Sequence, residues 1–504
     1  MLFNSDIFLF EFLPAVLAGF FLAKRIAGAR AAQIWLTLAS LAFYAAGGVR
    51  FLLPLSASIF ANYFVGRTLT RLHASGRKTA PLLATGIALN IGLLAWYKYT
   101  NFLLGNLQAA GFPTTALHIA LPIGISFYTF TQIAFLVDAA RGGAEEYDFV
   151  RYVLFVTFFP HLIAGPIVHH REMMPQFAPR RLEQGSFDLL PAGIMLFAIG
   201  LAKKVLLADS FAAMASPIFD SAATAPPDLL GAWGATLSYT FQIYFDFSGY
   251  SDMALGLALM FGIRLPVNFL SPYKSTSIIE FWRSWHMTLS RFLRDYLYIP
   301  LGGNRKGRLR RHVNLLIVMA IGGLWHGAGW TFVLWGLLHG TYLVINHAWI
   351  RLAGASAAMP VWAARLLTFL CVAFAWVLFR SDSLEAARAI YAGLFGLNGI
   401  TLSPELLAAL GHHQPFTVLG LQLVPGYFQD TLPWQVGALC LLGLIIVWGL
   451  PNSMEICGFA PAPAWSKFAF HTRPAYAVAN AVLLFACISV VNSGAVSEFI
   501  YYRF

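Results

Sequence analysis

Two histidines, His326 and His339, lie in the stretch Gly322 to Gly340, GGLWHGAGWTFVLWGLLHG, which holds no other ionisable side chain. An imidazole with an ordinary pKa near 6.5 can take a proton from a hydroxyl as it attacks a carbonyl, then return it to the leaving group. Ionisable groups at membrane depth are costly and are kept where they have a partner or a task, so this stretch is the candidate site. His326 is flanked by Trp325 and Trp330, with no histidine four residues away and no nearby cysteine, which disfavours a metal there. Two readings of His326 stay open locally: a catalytic base, or a helix-packing histidine bonded to a serine or carbonyl. His339 comes thirteen residues later and, at about 100° per residue, falls on a different face if one helix carries both.

Other groups could join it. His286 in Trp285-His286-Met287 closes a cluster with Trp282 and Arg283, which reads as the wall of a site. Asp246 and Asp252 lie within apolar sequence, QIYFDFSGYSDMA; Asp246, Tyr250 and Met253 share a helix face, so one acid is expected to point inward. Arg305, Lys306, Arg308, Arg310 and Arg311 form a basic loop. It suits either the phosphates of a nucleotide-bearing donor such as coenzyme A or simple anchoring on the cytoplasmic side. His161, His169 and His170 flank a segment broken by Pro160, Gly165 and Pro166; no acid is in reach by spacing, and they are expected to line a loop or a polar cavity. Arg291 and Asp295 are spaced to pair on a helix. Cys371, Cys440, Cys457 and Cys487 show no C-x-x-C spacing and read as apolar filler, implying neither metal nor disulfide.

What positions these groups is a set of apolar helices. The chain has 504 residues, 59% hydrophobic and 11% charged, with a mean hydropathy of +0.68, where a soluble domain carries about 25% charged residues. Windows of roughly 20 apolar residues recur from one end to the other, giving about eleven expected spans and no soluble domain. The fold class is all-α, a polytopic transmembrane bundle. The first run, Ile7 to Ala23, lacks a basic n-region and a small-residue cleavage site, so it is expected to be retained. Helices near 6–25, 31–48, 51–69 and 81–104 read as scaffold. A bent span follows over Leu117 to Val137, then the broken segment from Phe158 to His170, a helix from Leu189 to Leu207 and a long one from Leu229 to Phe261. Ile278 to Pro300 mixes charges with aromatics, as an interfacial or re-entrant helix does. Further spans are expected near 362–380, 435–450 and 475–493, with 396–434 as a loop outside the hydrocarbon. The net charge of +11 is scattered through short connections, which argues for topology signals and against nucleic acid. With Lys24 to Arg30, Arg67 to Lys78, Arg305 to Arg311 and Lys467 to Arg473 cytoplasmic, both termini lie outside.

The stretches LPIGISFYTF (121–130), FFPHLIAGPIV (158–168), FQIYFDFSGYSDMALGLALMFG (241–262), EFWRSWHMTLSRFLRDYLYIPLGGNR (280–305), GLWHGAGWTFVLWGLLHG (323–340) and FAWVLFR (374–380) resemble the membrane-bound O-acyltransferases. The resemblance is closest to the bacterial branch typified by the alginate O-acetyltransferase membrane subunit. It implies a bundle pinched between cytoplasmic and extracytoplasmic funnels, an active-site histidine at His326, an assisting position at His286 and acetyl-CoA as cytoplasmic donor. It also implies a bacterial inner-membrane location and an acetyl group handed to a separate extracytoplasmic SGNH-type transferase of a polysaccharide synthesis and export system. Position 161, where the family has Gln, is His here. One membrane-embedded domain is expected, with scaffold helices over 1–110, a catalytic core over 117–350 and C-terminal helices and tail over 361–504. The tail Phe499-Ile500-Tyr501-Tyr502-Arg503-Phe504 resembles the carrier motif of a small peptide of the D-alanylation system, which makes Tyr501 a candidate acyl carrier; an interfacial aromatic belt is the other reading. A transporter admitting an acyl donor, or a non-catalytic scaffold, are alternatives from other classes.

Overall fold

The computed structural model describes residues 1–145, 148–184, 187–353, 359–402, 416–418, 421–425, 433–460, 474–494 and 497–500. Among the described residues six helices are long and apolar enough to cross a membrane: Ile7–Ala45, Val49–Ala74, Ala80–Ala109, Leu190–Ser221, Val361–Arg380 and Pro474–Asn492. Ile125–Ala140 and Trp434–Gly449 are apolar but shorter. The long rods Leu229–Met260, Arg308–His326 and Trp330–Ala353 also belong to the bundle. The expectation of about eleven crossings therefore rests, beyond the six, on rods that are shorter or carry polar groups facing protein instead of lipid. The chain is an all-α polytopic bundle.

The N-terminal rod contains two expected helices. At Gly28, with φ 79°, the chain breaks, and Trp35 Nε1 donates to the Val16 carbonyl at 3.0 Å, so the two halves lie side by side. The Lys24 to Arg30 connection sits at this bend.

Leu229–Met260 is the central rod, buried on every face from Tyr239 to Met260. Leu190–Ala202 packs along it through glycines. A methyl at Gly200 would strike the Gly249 carbonyl and one at Gly249 the Gly200 carbonyl; Gly193 and Gly256 repeat the relation. Both acids of the central rod are buried and paired, Asp246 with Lys204 at 2.8 Å and Asp252 with Lys203 at 2.6 Å. The expectation of one inward acid is corrected to two, because a rod enclosed all round has no solvent face.

Three irregular stretches depart from the expected elements. Leu117 to Val137 is not one bent span: residues 112–122 form neither helix nor strand, Gly124 turns left-handed at φ 72°, and the helix runs only from Ile125 to Ala140. Gly124 is required on a second count, since a Cβ there would sit 2.7 Å from the Leu162 carbonyl. Residues 158–168 are broken as expected, and they are buried throughout. The 278–300 stretch is two short helices, Ile278–Ser284 and Met287–Leu293, separated at His286 (φ 42°). Arg291 there forms a two-pronged pair with Glu172, and Asp295 pairs with Arg294, which replaces the expected Arg291–Asp295 pair. The expected outer loop holds a small sheet in which β3 (Leu421–Pro425) lies between β1 (Ile400–Leu402), parallel, and β2 (Phe416–Val418), antiparallel. The four cysteines are free, and Cys440, Cys457 and Cys487 are buried among apolar neighbours.

Candidate functional site

The helix Arg308–His326 ends at His326, and after Gly327–Gly329 the chain returns along Trp330–Ala353. The repeated glycine frames make this hairpin tight: a methyl at Gly323 would collide with the Phe332 carbonyl, and one at Gly336 with the Met319 carbonyl. This is the close approach that the sequence pattern predicts.

A helix leaves its last four carbonyls without intrahelical donors. Here each has one. The Gly323 carbonyl accepts from the Gly327 N–H and the Leu324 carbonyl from the Tyr99 hydroxyl at 2.9 Å. Lys98 Nζ donates to the Trp325 carbonyl at 2.6 Å and the His326 carbonyl at 3.1 Å, and it reaches Ser126 Oγ at 3.3 Å. A cation at a helix C-terminus also meets the negative end of its dipole. The reading of 81–104 as scaffold is thereby corrected, since Lys98 and Tyr99 fix the end that carries His326. The overlooked signal was a lone lysine in an apolar run.

The His326 ring is 3% exposed. Trp325, Trp335 and Phe379 surround it edge-on at 4.9, 5.2 and 5.2 Å between ring centroids, and His286 lies at 6.2 Å. His286 is held by Asn268, whose Oδ1 lies 3.1 Å from its Nδ1 and also accepts from the Thr288 hydroxyl at 3.0 Å. An amide oxygen only accepts, so this network assigns the proton to Nδ1 and leaves Nε2 as a buried lone pair with no hydrogen-bond partner among the described residues. The Thr288 hydroxyl in turn accepts from the Ile167 N–H at 3.0 Å, tying this turn to the broken segment.

Two cavities meet at Lys98. A small one of about 80 Å³ is lined by Lys98, Gly124, Ser126, Ile163, Trp325 and His326. A larger one of about 510 Å³ is lined by Lys98, Gly327, Thr331, Arg380, Ser497 and Glu498 among others. At 1.5 Å per residue, about 27 Å of helix separates Arg308 and the basic loop from the end where the larger cavity lies.

The C-terminal segment enters that region. Lys204 Nζ donates to Asp246 Oδ1 and Ser497 Oγ, both at 2.8 Å, and to the Glu498 carbonyl at 3.0 Å; Asp246 Oδ2 accepts from the Ile500 N–H at 3.0 Å. Phe499 is buried against Tyr250 and beneath the Lys204 ammonium, which replaces the expected aromatic belt at that position. Asn4 Nδ2 donates to the Ser497 carbonyl at 3.4 Å, which joins residues 497–500 to the start of the chain. Tyr501 lies outside the described residues.

The structure gathers some expected site residues and disperses others. Trp325 stacks on Phe130 beside His326. Trp282 contacts His339 and Trp335 at 5.2 and 5.9 Å. His339 is fully enclosed by these rings, Phe281 and Trp376, and neither ring nitrogen has a hydrogen-bond partner among the described residues. Trp330 is 54% exposed and donates to Asn106, turned away from His326 because it starts the returning helix on its outer face. Arg283 is exposed at the end of its short helix and forms no part of the wall. Asp246 holds the C-terminal segment and does not line either cavity. Arg305, Lys306 and Arg308 are exposed at the far end of the His326 helix. His169 and His170 do have an acidic neighbour, Asp138, brought in by the fold from the end of Ile125–Ala140.

Residues 79–377 match the membrane-bound O-acyltransferase family. The chain is 44% identical to the peptidoglycan O-acetyltransferase of Helicobacter pylori, over 80% of this chain and 81% of that protein. It is 37% identical to the probable alginate O-acetylase of Pseudomonas fluorescens along the whole of both chains. The teichoic acid D-alanyltransferase of Streptococcus thermophilus is 31% identical over 45% of this chain and 57% of its own.

Proposed function

The chain belongs to the membrane-bound O-acyltransferase family, and from that premise we propose that it carries acetyl groups from cytoplasmic acetyl-CoA across a bacterial inner membrane to an exported polysaccharide. It is a multi-pass membrane acyltransferase. With the Lys/Arg-rich connections cytoplasmic, the larger cavity and both termini face the periplasm. The contact between Asn4 and Ser497 is consistent with both termini on one side. The relatives named for alginate and peptidoglycan acetylation support acetyl as the group moved and an envelope polymer as its destination.

The observation that carries this reading is His326, buried at the wall of the small cavity, with the larger cavity reaching the same lysine. In the proposed step the imidazole of His326 takes the proton of an acceptor hydroxyl. That oxygen bonds to the thioester carbonyl carbon, the carbon–sulfur bond breaks, and the thiolate of coenzyme A leaves with the proton. His286, with Nδ1–H given to Asn268, offers its Nε2 lone pair as the assisting group. In this reading Arg305, Lys306 and Arg308, which are exposed, bind the coenzyme A phosphates.

The immediate acceptor in this reading is Tyr501, one residue beyond Ile500, whose N–H is anchored on Asp246. The acyl-tyrosine then passes its acetyl to a periplasmic SGNH-type transferase, splitting one transfer into two. The test uses full-length protein in proteoliposomes given radiolabelled acetyl-CoA on the face with the basic loops. Label accumulating on the protein, and none on Tyr501→Phe, supports the relay. Undiminished label on Tyr501→Phe removes the carrier, and no acetyl taken from acetyl-CoA by the wild type removes the donor assignment.

A further inference from the structure

Away from His326, where the end of Ile125–Ala140 meets Thr79, Asp138, His169 and His170 bring three ligand atoms together within 4.8 Å of one another. Asp138 Oδ2 lies 3.5 Å from His169 Nδ1 and 3.4 Å from His170 Nδ1. The far nitrogen of the His170 ring points elsewhere. His170 Nε2 lies 3.0 Å from the Gly143 carbonyl, which can only accept, so that nitrogen carries the proton and Nδ1 presents a lone pair to the carboxylate. The Tyr296 hydroxyl donates to Asp138 Oδ2 at 3.0 Å and lies 2.9 Å from His169 Nε2 and 3.5 Å from its Nδ1. The Tyr296 ring stacks on that of His169 at 5.5 Å between centroids, which fixes the imidazole beside Asp138. Two imidazoles and a carboxylate thus converge within the reach of one ion.

From this convergence we propose that Asp138, His169 and His170 form a divalent transition-metal site, with zinc the foremost candidate. The spacing fits: ligands about 2.0–2.1 Å from a tetrahedral zinc stand about 3.4 Å apart, close to the two separations observed. The two imidazoles are borderline donors that suit zinc and its neighbours over calcium or magnesium, and a carboxylate is a common further ligand of zinc. The outer contact of His170 matches that of a metal-bound histidine, whose second nitrogen donates to a carbonyl and so fixes the ring. Asp138 and His169 keep 11% and 18% of their side chains exposed, which gives an ion a way in and water a fourth position.

The site joins pieces that wall the catalytic region. Asp138 ends the helix that begins at Gly124, His169 and His170 end the broken segment, and Tyr296 belongs to the stretch that begins at His286. Its role is that of a clip between elements and involves no contact with substrate.

The test is metal content of full-length protein purified in detergent without a polyhistidine tag or chelator. Inductively coupled plasma mass spectrometry is expected to find about one zinc per chain in the wild type and in His326→Ala, and at least tenfold less in Asp138→Asn and in His169→Ala/His170→Ala. Stripped wild type titrated with Co2+ alone is expected to gain the visible bands of a tetrahedral site, saturating at one equivalent. Should the variants fail to fold, zinc X-ray absorption of the wild type decides, reading two imidazoles and light oxygen ligands. Wild type that neither carries a metal nor takes up Zn2+ or Co2+ stoichiometrically overturns the site, as does full metal content in the folded variants; the pair of histidines would then be held to Asp138 by protons alone.

Discussion

Lys98 and His326, far apart in sequence, meet through a 3.1 Å hydrogen bond from the lysine ammonium to the histidine's backbone carbonyl. The ammonium also serves Trp325 at 2.6 Å, so one side chain completes a helix end that would otherwise bury two unsatisfied carbonyls. The position of the imidazole depends on a residue that never touches its ring nitrogens.

Lys98→Met is therefore expected to lower acyl transfer at least tenfold and to destabilise the protein by about 2 kcal/mol, the penalty of leaving buried carbonyls unpaired. Turnover and thermal unfolding of the purified variant check both. Wild-type values for the two would show that the helix end holds itself.

The hairpin of Arg308–His326 and Trp330–Ala353 gives a paired prediction. Gly323→Leu and Gly336→Leu drive side chains into carbonyls and are expected to cost about 3 kcal/mol or prevent folding. Gly437→Ala meets nothing within 4 Å and should be neutral or raise stability by up to about 1 kcal/mol. Yields of monodisperse protein and melting temperatures separate the two kinds.

Breaking the buried Lys204–Asp246 pair on one side leaves a charge behind. Lys204→Met is expected to lose about 3–5 kcal/mol and to release the C-terminal segment, while Lys204→Met/Asp246→Leu recovers part of the stability. Carboxypeptidase digestion should trim the tail faster in the single variant. Equal digestion rates in wild type and variant would mean that this pair does not anchor residues 497–500.

Asn268 acts on the reaction through His286. His286→Gln is expected to slow acyl transfer more than Asn268→Ala, and the double variant to be no slower than His286→Gln alone, because both remove one function. Fully additive losses would assign the two residues separate roles.

Much of this arrangement could be read from sequence where the signal is local. The glycine frames around His326 and His339 foretold close helix contact, and Pro160, Gly165 and Pro166 foretold the broken segment. What escaped was tertiary. Lys98, Lys203 and Lys204 look like isolated charges until the fold brings them to the His326 carbonyl, Asp252 and Asp246. Asp138 and His170 are linked by no spacing rule, since a turn at Gly143 and a whole helix separate them. Trp330 misled by adjacency: four residues after His326, it stands beyond the turn on the outer face of the next helix. Burial of the tail at Phe499 depended on the Lys204 network, which the tail's own residues do not encode.

The central claim is that the His326 imidazole moves the proton in acyl transfer. Single-turnover consumption of acetyl-CoA by folded His326→Gln, compared with wild type at equal donor occupancy, tests it most directly. A rate about 10²–10⁴ lower with unchanged coenzyme A binding is predicted. A variant that reacts within a few-fold of wild type would contradict it and leave His326 a packing residue.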